Sequence, residues 1–296
     1  KPFHYSFDVS YPDAVVNVID PYQFHDEAYT GLAEMKLKAA NLYKTLGAHL
    51  MTIEVDGVKV SGVKFAVYAP SAKCCSVIGD FNFWDGRRHP MERSLDGHWV
   101  LFVPGIKPGD RYKYELKDPL GNRLPHKADP VGFYSEQYPS FASIVVDQTT
   151  YTWHDADWIK SQLNNKVDQP ISIYEMHFAS WKRKDDGYSY SYREMADELI
   201  PYLKKLGYTH VEFMPISEFP FDGSWGYQPV GLFSPTSRFG KVDDLKYLID
   251  QLHQNGIGVI VDWVPAHFPS DSHGLARFDG TPLYEYEDPR RGWHPD

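Results

Sequence analysis

Cysteine is scarce in this sequence, which argues against two kinds of site. The 296 residues contain two cysteines, the neighbours Cys74 and Cys75. Adjacent side chains on a strand point to opposite faces, so we expect two reduced thiols rather than a disulfide between them. Their spacing also lacks the pattern of a metal site.

Positive charge and long apolar runs are lacking as well. Lys and Arg number 30 against 40 Asp and Glu, which gives a formal net charge of −10. This balance argues against nucleic acid and anionic membrane surfaces as partners, because both attract clustered basic residues. No apolar run reaches the roughly 18 residues that a membrane-spanning helix needs, and the N-terminus has no signal-peptide pattern. We therefore expect a cytoplasmic protein.

Aromatic residues, in contrast, are abundant. They make up 16% of the chain and include 21 Tyr and 8 Trp. Flat rings suit carbohydrate binding because they stack on the apolar faces of sugars, but a large aromatic core has the same composition. Composition alone leaves both interpretations open, and the length is sufficient for two domains.

Residues 48–150 have the pattern of an all-β sandwich. Short runs rich in Val, Phe and Tyr are separated by Asp-Gly, Pro-Gly and Gly-Asn turns, which is typical of such folds. The predicted strands lie at 63–70, 74–81, 98–105, 111–118 and 141–147. Residues 1–30 have the pattern of the tail of an N-terminal β module, 31–47 predict a connecting helix, and 151–170 predict a linker.

From residue 171 onward, apolar strands alternate with one-faced helices. Predicted strands at 171–178, 210–216 and 258–264 are separated by predicted helices at 191–207 and 242–256. This order indicates a parallel sheet, which a doubly wound fold or a barrel would equally satisfy. The loops at 217–240 and 265–296 are too long to be simple connections. They follow the strand ends where barrel enzymes place their sites, so they favour a (β/α)8 barrel.

Asp262 ends the third of these strands, where a carboxylate would point into the mouth of a barrel. Burial there is costly without a partner, so Asp262 either binds a ligand or accepts hydrogen bonds from its own loop. His267 follows five residues later and could reach the same place. A lone histidine after a strand is more often structural, but the pairing with Asp262 makes it a candidate for binding hydroxyl groups.

The second-strand loop contains a further group of candidate residues. Tyr227 follows a glycine, which lets the backbone approach a ligand closely, and its ring could stack on a sugar or pack within the loop. Gln228 can donate to and accept from hydroxyls. Trp225 could bind or only pack, and His177, at the end of the first strand, could line the same pocket or lie in the core.

Five long motifs carry a family resemblance. They are IGDFNFWDGRRHPM (78–91), YEMHFASW (174–181), VIVDWVPAHF (259–268) and the longer segments 206–240 and 278–296. Together they resemble bacterial 1,4-α-glucan branching enzymes, which are members of the α-amylase superfamily. Related hydrolases and debranching enzymes usually have GYD or GYN where this chain has GYQ at 226–228.

The resemblance implies a multidomain fold in which a glycogen-binding-like β-sandwich is followed by about three βα units of the catalytic barrel, residues 171–296. It implies that Tyr227, Asp262 and His267 hold the sugar at the bond to be cleaved. Trp84, in the FNFWDG string of the sandwich, falls where related modules bind glucan, although structural packing would explain it equally well.

The resemblance also implies a reaction. Branching enzymes are retaining transglycosylases that need no cofactor or metal, and they transfer a cleaved α-1,4-glucan chain, from glycogen or amylose, to a 6-hydroxyl group. Their nucleophilic Asp and acid/base Glu follow the fourth and fifth strands. We therefore expect both residues beyond this sequence, a monomeric full enzyme, and no branching activity from this chain alone. The alternatives are a glucan-binding protein without catalysis and a related α-glucan hydrolase or debranching enzyme.

Overall fold

The computed structural model describes residues 3–29, 39–163 and 169–292. These residues form two compact units. The first unit comprises the chain up to Phe133, residues 142–147 and residues from Ser270 onward, and the second comprises Tyr134–Phe141 and Gln148–Pro269. The first part of the helix predicted at 31–47, residues 31–38, lies outside the described residues. The described part contains a short 3-10 helix at Ala39–Lys44.

The first unit is built on an antiparallel sandwich, as predicted. Its strands are β3 (Gly47–Val55), β4 (Val58–Tyr68), β5 (Cys74–Gly79), β6 (Glu92–Arg93), β7 (His98–Pro104), β8 (Arg111–Lys117) and β9 (Ser143–Ile144). One sheet has the order β3-β4-β7-β6 and the other the order β5-β8-β9. The final strand is much shorter than the predicted 141–147. Between β3 and β4, Asp56 and Gly57 both have positive φ, at 51° and 77°, which is the geometry that an Asp-Gly hairpin turn provides.

The four-stranded sheet is buried on both faces. Toward the other sheet, Phe65 and Leu101 pack with Tyr112 of β8 in one cluster. On the opposite face, Phe102 packs with Phe24 at a centroid distance of 5.1 Å. This second face is covered by a short helix, α1 (His25–Ala28), and the 3-10 turn before it. Cys74 and Cys75 are both free thiols, which confirms the prediction.

A hairpin of β1 (Ser6–Ser10) and β2 (Val15–Ile19) precedes these elements. It agrees with the β character predicted for residues 1–30. The predicted linker at 151–170 contains a helix, α2 (Ala156–Leu163). His253 of the second unit binds Asp155 just before this helix and stacks on Trp158 within it, so the segment is more ordered than a linker.

The second unit has the predicted parallel sheet. Its strands β10 (Ile173–Met176), β11 (His210–Phe213) and β14 (Gly258–Val261) lie in that order. The short helix α3 (Phe178–Trp181) and the longer amphipathic helix α4 (Tyr192–Leu206) follow β10, and α5 (Val242–Gln254) precedes β14. The loop after β11 contains a small antiparallel pair, β12 (Ser217–Glu218) and β13 (Gly231–Pro235). Each strand is shorter than predicted because the residues beyond it enter loops.

One face of this sheet packs on the helices. Register-matched residues Tyr174, Val211 and Val259 lie on that face with apolar side chains of α4 and α5. At the last position of β14, Val261 is exposed. Among the described residues β14 has a strand neighbour on one side only, so its last residue is less covered.

Residues from Ser270 onward pack with the sandwich. Phe278 belongs to the sandwich core, and the Lys127 ammonium donates to the carbonyls of Gly274 and Ala276 at 3.3 and 3.2 Å. A final short helix, α6 (Pro289–Gly292), ends the described chain. The end of the range 171–296 therefore packs within the first unit, while the assignment of that range to one barrel domain stays a prediction.

Candidate functional site

The centre of the candidate site is a hydrogen bond between two predicted residues. The Tyr227 hydroxyl donates to Oδ2 of Asp262 at 2.8 Å. Asp262 immediately follows β14, and Tyr227 lies in the loop after β11, so both stand at the carboxyl edge of the parallel sheet. Burial raises the pKa of Tyr227 to about 12, and the Asp262 carboxylate adds to the shift. The tyrosine is therefore a neutral donor at physiological pH.

The backbone around Tyr227 is tightly constrained. Gly226 has φ +92°, and a Cβ there would lie 2.2 Å from the carbonyl oxygen of Pro215. Only glycine fits this position. Trp225 also adopts a left-handed backbone, with φ 56°. Such a conformation is costly for a large side chain and is typical of functional loops.

A buried ion pair supports the same loop. The Arg238 guanidinium donates to Glu218 at 2.7 Å and to Asp222 at 2.8 Å, and it stacks 4.0 Å above the ring of Phe219. Burial raises the pKa of Glu218, while the Ser237 amide and Arg238 oppose that shift. Removal of either partner would leave a buried charge, so this pair fixes the path of the loop that presents Trp225 and Tyr227.

His177 and Trp225 form a second pair. Their ring centroids lie 5.9 Å apart with a tilt of 33°, and one nitrogen of His177 lies 2.8 Å from the Ser180 hydroxyl. Burial and the nearby Arg183 lower the pKa of His177. His177 is therefore half-buried beside Trp225, and its environment favours the neutral imidazole.

Gln228 and His267 are placed beside these pairs. Gln228 is half-buried next to Tyr227, and His267 is exposed in the loop after β14 with φ 57°. The structure thus brings Tyr227 together with Asp262 and His177 together with Trp225. The roles of all six candidate residues stay predictions.

Sequence reasoning missed two carboxylates near Tyr227. Glu175 and Glu212 are register partners on β10 and β11, on the face of the sheet opposite the helices. Their charges contribute to the raised pKa of Tyr227. The signal was available, because each is an acidic residue within an otherwise apolar strand.

Trp84 lies in the first unit, on a turn of the sandwich. Its indole donates to Asp80 at 3.1 Å, and the Lys113 ammonium lies 5.2 Å from its ring centroid. Phe83 and Trp84 both have left-handed backbones, with φ 59° and 60°, and the Phe83 side chain is 77% exposed. The turn presents aromatic surface at some backbone cost.

The described residues contain neither a metal-binding cluster nor a membrane-spanning helix. No group of three or more His, Cys, Asp or Glu side chains in 3–29, 39–163 and 169–292 could hold a metal ion. Within the same ranges no helix is long and apolar enough to cross a membrane.

Comparison with known proteins identifies both parts of the chain. Residues 45–132 match the model of carbohydrate-binding module 48 (isoamylase N-terminal domain), and residues 173–288 match the alpha amylase catalytic domain. The first region is thus similar to a carbohydrate-binding module, and the second is similar to α-amylase catalytic domains. The fold of the chain is a carbohydrate-binding sandwich followed by part of an α-amylase catalytic domain.

Curated relatives are similar to this chain over its whole length. The chain is 59% identical to the 1,4-alpha-glucan branching enzyme GlgB of Pseudoalteromonas atlantica, over 100% of this chain and 41% of the relative. It is 56% identical to GlgB of Vibrio cholerae, over 99% of this chain and 40% of the relative. The chain therefore spans about two fifths of the length of these curated relatives.

A solved structure gives the same result for the fold. A crystal structure of a Salmonella typhimurium protein described as an alpha amylase superposes with a TM-score of 0.61 at 28% identity. The match covers 79% of this chain and 35% of that one.

Proposed function

We propose that this chain is part of a glycogen branching enzyme, which cleaves an α-1,4-glucan chain and transfers it to a 6-hydroxyl group. The observation that carries the proposal is the Tyr227–Asp262 hydrogen bond at the carboxyl edge of the sheet, within a chain 59% identical throughout to a branching enzyme. Glycogen and amylose are the proposed substrates, and the cytoplasm is the proposed location.

In this proposal Asp262 positions groups and does not attack the sugar. Its carboxylate accepts a hydrogen bond from the Tyr227 hydroxyl. This bond orients the phenol ring as a flat platform for the sugar at the cleaved bond. Gln228 and His267 supply further donors and acceptors for hydroxyl groups. A retaining transfer also needs a nucleophile and an acid/base separated by about 5–5.5 Å, and none of these residues takes either part.

The sandwich contributes an accessory contact in this proposal. Trp84 and the exposed Phe83 would stack on a glucan chain, and Lys113 would fix the Trp84 ring through its cation–π contact. The match of residues 45–132 to a carbohydrate-binding module supports this role.

The test is product analysis with the polypeptide at the length its source makes. Amylose with blocked reducing ends is the substrate, and proton NMR measures α-1,6 linkages while a reducing-sugar assay measures chain cleavage by water. We expect new α-1,6 linkages without a matching rise in reducing ends. Reducing ends without new linkages would identify a hydrolase. The absence of both products would favour a binding protein without catalysis.

Substitution of Tyr227 tests the residue-level proposal. Tyr227→Phe keeps the ring but loses the donor to Asp262, so we expect kcat/KM on amylose to fall about tenfold, the equivalent of about 1.4 kcal/mol. Tyr247→Phe, on α5, removes a tyrosine hydroxyl outside the site and serves as the matched control. Equal kcat/KM values for the two variants would contradict the role of Tyr227.

A further inference from the structure

A cleft of about 720 Å³ lies beside the carboxyl end of β10 in the second unit. This volume is in the range of roughly 300–1,000 Å³ that ligand sites occupy. His177 and Trp225 line it, together with the buried rings of Phe219 and Phe239. Trp225 is 56% exposed, so its ring is available to a ligand.

Tyr188, which neither the sequence motifs nor the Tyr227–Asp262 pair include, also lines this cleft. Its side chain is 74% exposed, yet its backbone is held in a closed turn. The Tyr188 carbonyl accepts from the Lys184 amide and its amide donates to Asp186, each at 3.0 Å. The Lys184 ammonium also binds Glu194 at the start of α4 at 2.6 Å. A large ring displayed on a fixed turn loses little freedom when a ligand stacks on it.

The other groups in the cleft suit an uncharged polar ligand. Arg238 is neutralised by Glu218 and Asp222, and His177 is uncharged. Gln137, Ser189 and Arg183 offer hydrogen-bond groups at the wall. Aromatic faces combined with such groups match the two surfaces of a sugar ring, which has apolar faces and hydroxyl edges.

We infer that this cleft binds a stretch of α-1,4-glucan continuous with the sugar held by Tyr227 and Asp262, and that Tyr188 and Trp225 are its stacking residues. Trp225 and Tyr227 are two positions apart, so their Cα atoms are separated by at most about 7 Å. One glucan chain can therefore run from one to the other. The inference rests on the proposed function, because it names the second part of the same binding surface.

The test is isothermal titration of maltoheptaose into the polypeptide at the length its source makes. All proteins carry Trp84→Ala, so that the sandwich turn does not contribute. We expect Tyr188→Ala to raise Kd about fivefold, the loss typical of a truncated binding aromatic, and Tyr188→Phe to keep Kd near that of the parent. Tyr11→Ala is the matched control, because Tyr11 is also exposed, at 55%, but lies in the first unit.

The outcomes separate this inference from the proposed function. A Kd for Tyr188→Ala equal to that of Tyr11→Ala overturns the inference. An absence of maltoheptaose binding by the parent also overturns it, and so does a Kd for Tyr188→Phe as high as that of Tyr188→Ala. A Tyr227→Phe variant included in the series tests the other part. If Tyr188→Ala weakens binding and Tyr227→Phe does not, the cleft stands and the proposed role of Tyr227 fails.

Discussion

At the scale of single residues, the buried carboxylate of Asp129 makes stability depend on pH. Its Oδ2 accepts from the hydroxyls of Tyr112 and Tyr114 at 2.8 and 3.0 Å, inside the sandwich. Burial raises its pKa to about 6, although the hydrogen bonds from Val131 and the two tyrosines oppose the shift. The folded state therefore holds the proton more tightly than the unfolded state, whose pKa is about 3.9.

This shift predicts how stability changes with pH. The contribution of Asp129 is fully present below about pH 4 and is lost as pH rises through 6, a change of about 3 kcal/mol. Asp129→Asn cannot titrate, so the stability of the wild type relative to this variant should fall by that amount between about pH 4 and pH 7. Urea unfolding followed in the sandwich measures it, with the exposed Asp13→Asn as control. A constant difference would contradict the prediction.

Short motifs made the positions of two candidate residues predictable, while the roles of these residues stay predictions. Tyr227 was predictable because Gly226 precedes it, and Asp262 because it ends an apolar strand; their hydrogen bond follows from two adjacent strand ends. Tyr188 was not predictable, because an exposed tyrosine in a polar turn has no periodic signal. Only the folded turn places it beside Trp225 in one cleft.

At the scale of elements, the start of α4 is fixed by hydrogen bonds between two residues close in sequence, Ser191 and Glu194. The Ser191 hydroxyl accepts from the Glu194 amide at 3.3 Å, and the Glu194 carboxylate accepts from the Ser191 amide at 2.8 Å. This reciprocal pair is a capping box, which a Ser followed three residues later by a Glu favours. The helix ends at Gly207, whose φ is 79°. The strand β12 and helix α2 had no such signal, since each depends on contacts with distant residues.

Removal of this cap should loosen the helix from its first turn. Ser191→Ala loses the side-chain acceptor, which we expect to cost about 1 kcal/mol. Amide exchange of the first turn of α4, followed by mass spectrometry, should accelerate about fivefold, while Ser191→Thr keeps a hydroxyl and should exchange almost as the wild type does. Equal acceleration in both variants would mean that the hydroxyl does not act as the cap.

At the scale of the whole molecule, sequence and packing assign one segment differently. The catalytic-domain match extends to residue 288, but residues from Ser270 onward group with the sandwich unit. Asp279 accepts a hydrogen bond from the Ser71 amide at 2.9 Å, and the Lys127 ammonium donates to two backbone carbonyls of the segment. Sequence order predicted a barrel loop, and it could not reveal where that loop packs because the partners are about 150 to 200 residues away in the chain.

The packing of this segment predicts that Phe278 stabilises the sandwich, whereas its place in the sequence would predict that it stabilises the second unit. Phe278 is fully buried in the sandwich core, so Phe278→Ala should destabilise the sandwich by about 3–5 kcal/mol. Hydrogen exchange should then accelerate in β4 and β5, and α4 should exchange as in the wild type. The control, Leu199→Ala, removes a side chain fully buried in the second unit and should accelerate α4 instead. Faster exchange in α4 rather than β4 for Phe278→Ala would assign the segment to the barrel, because a core residue stabilises the unit into which it packs.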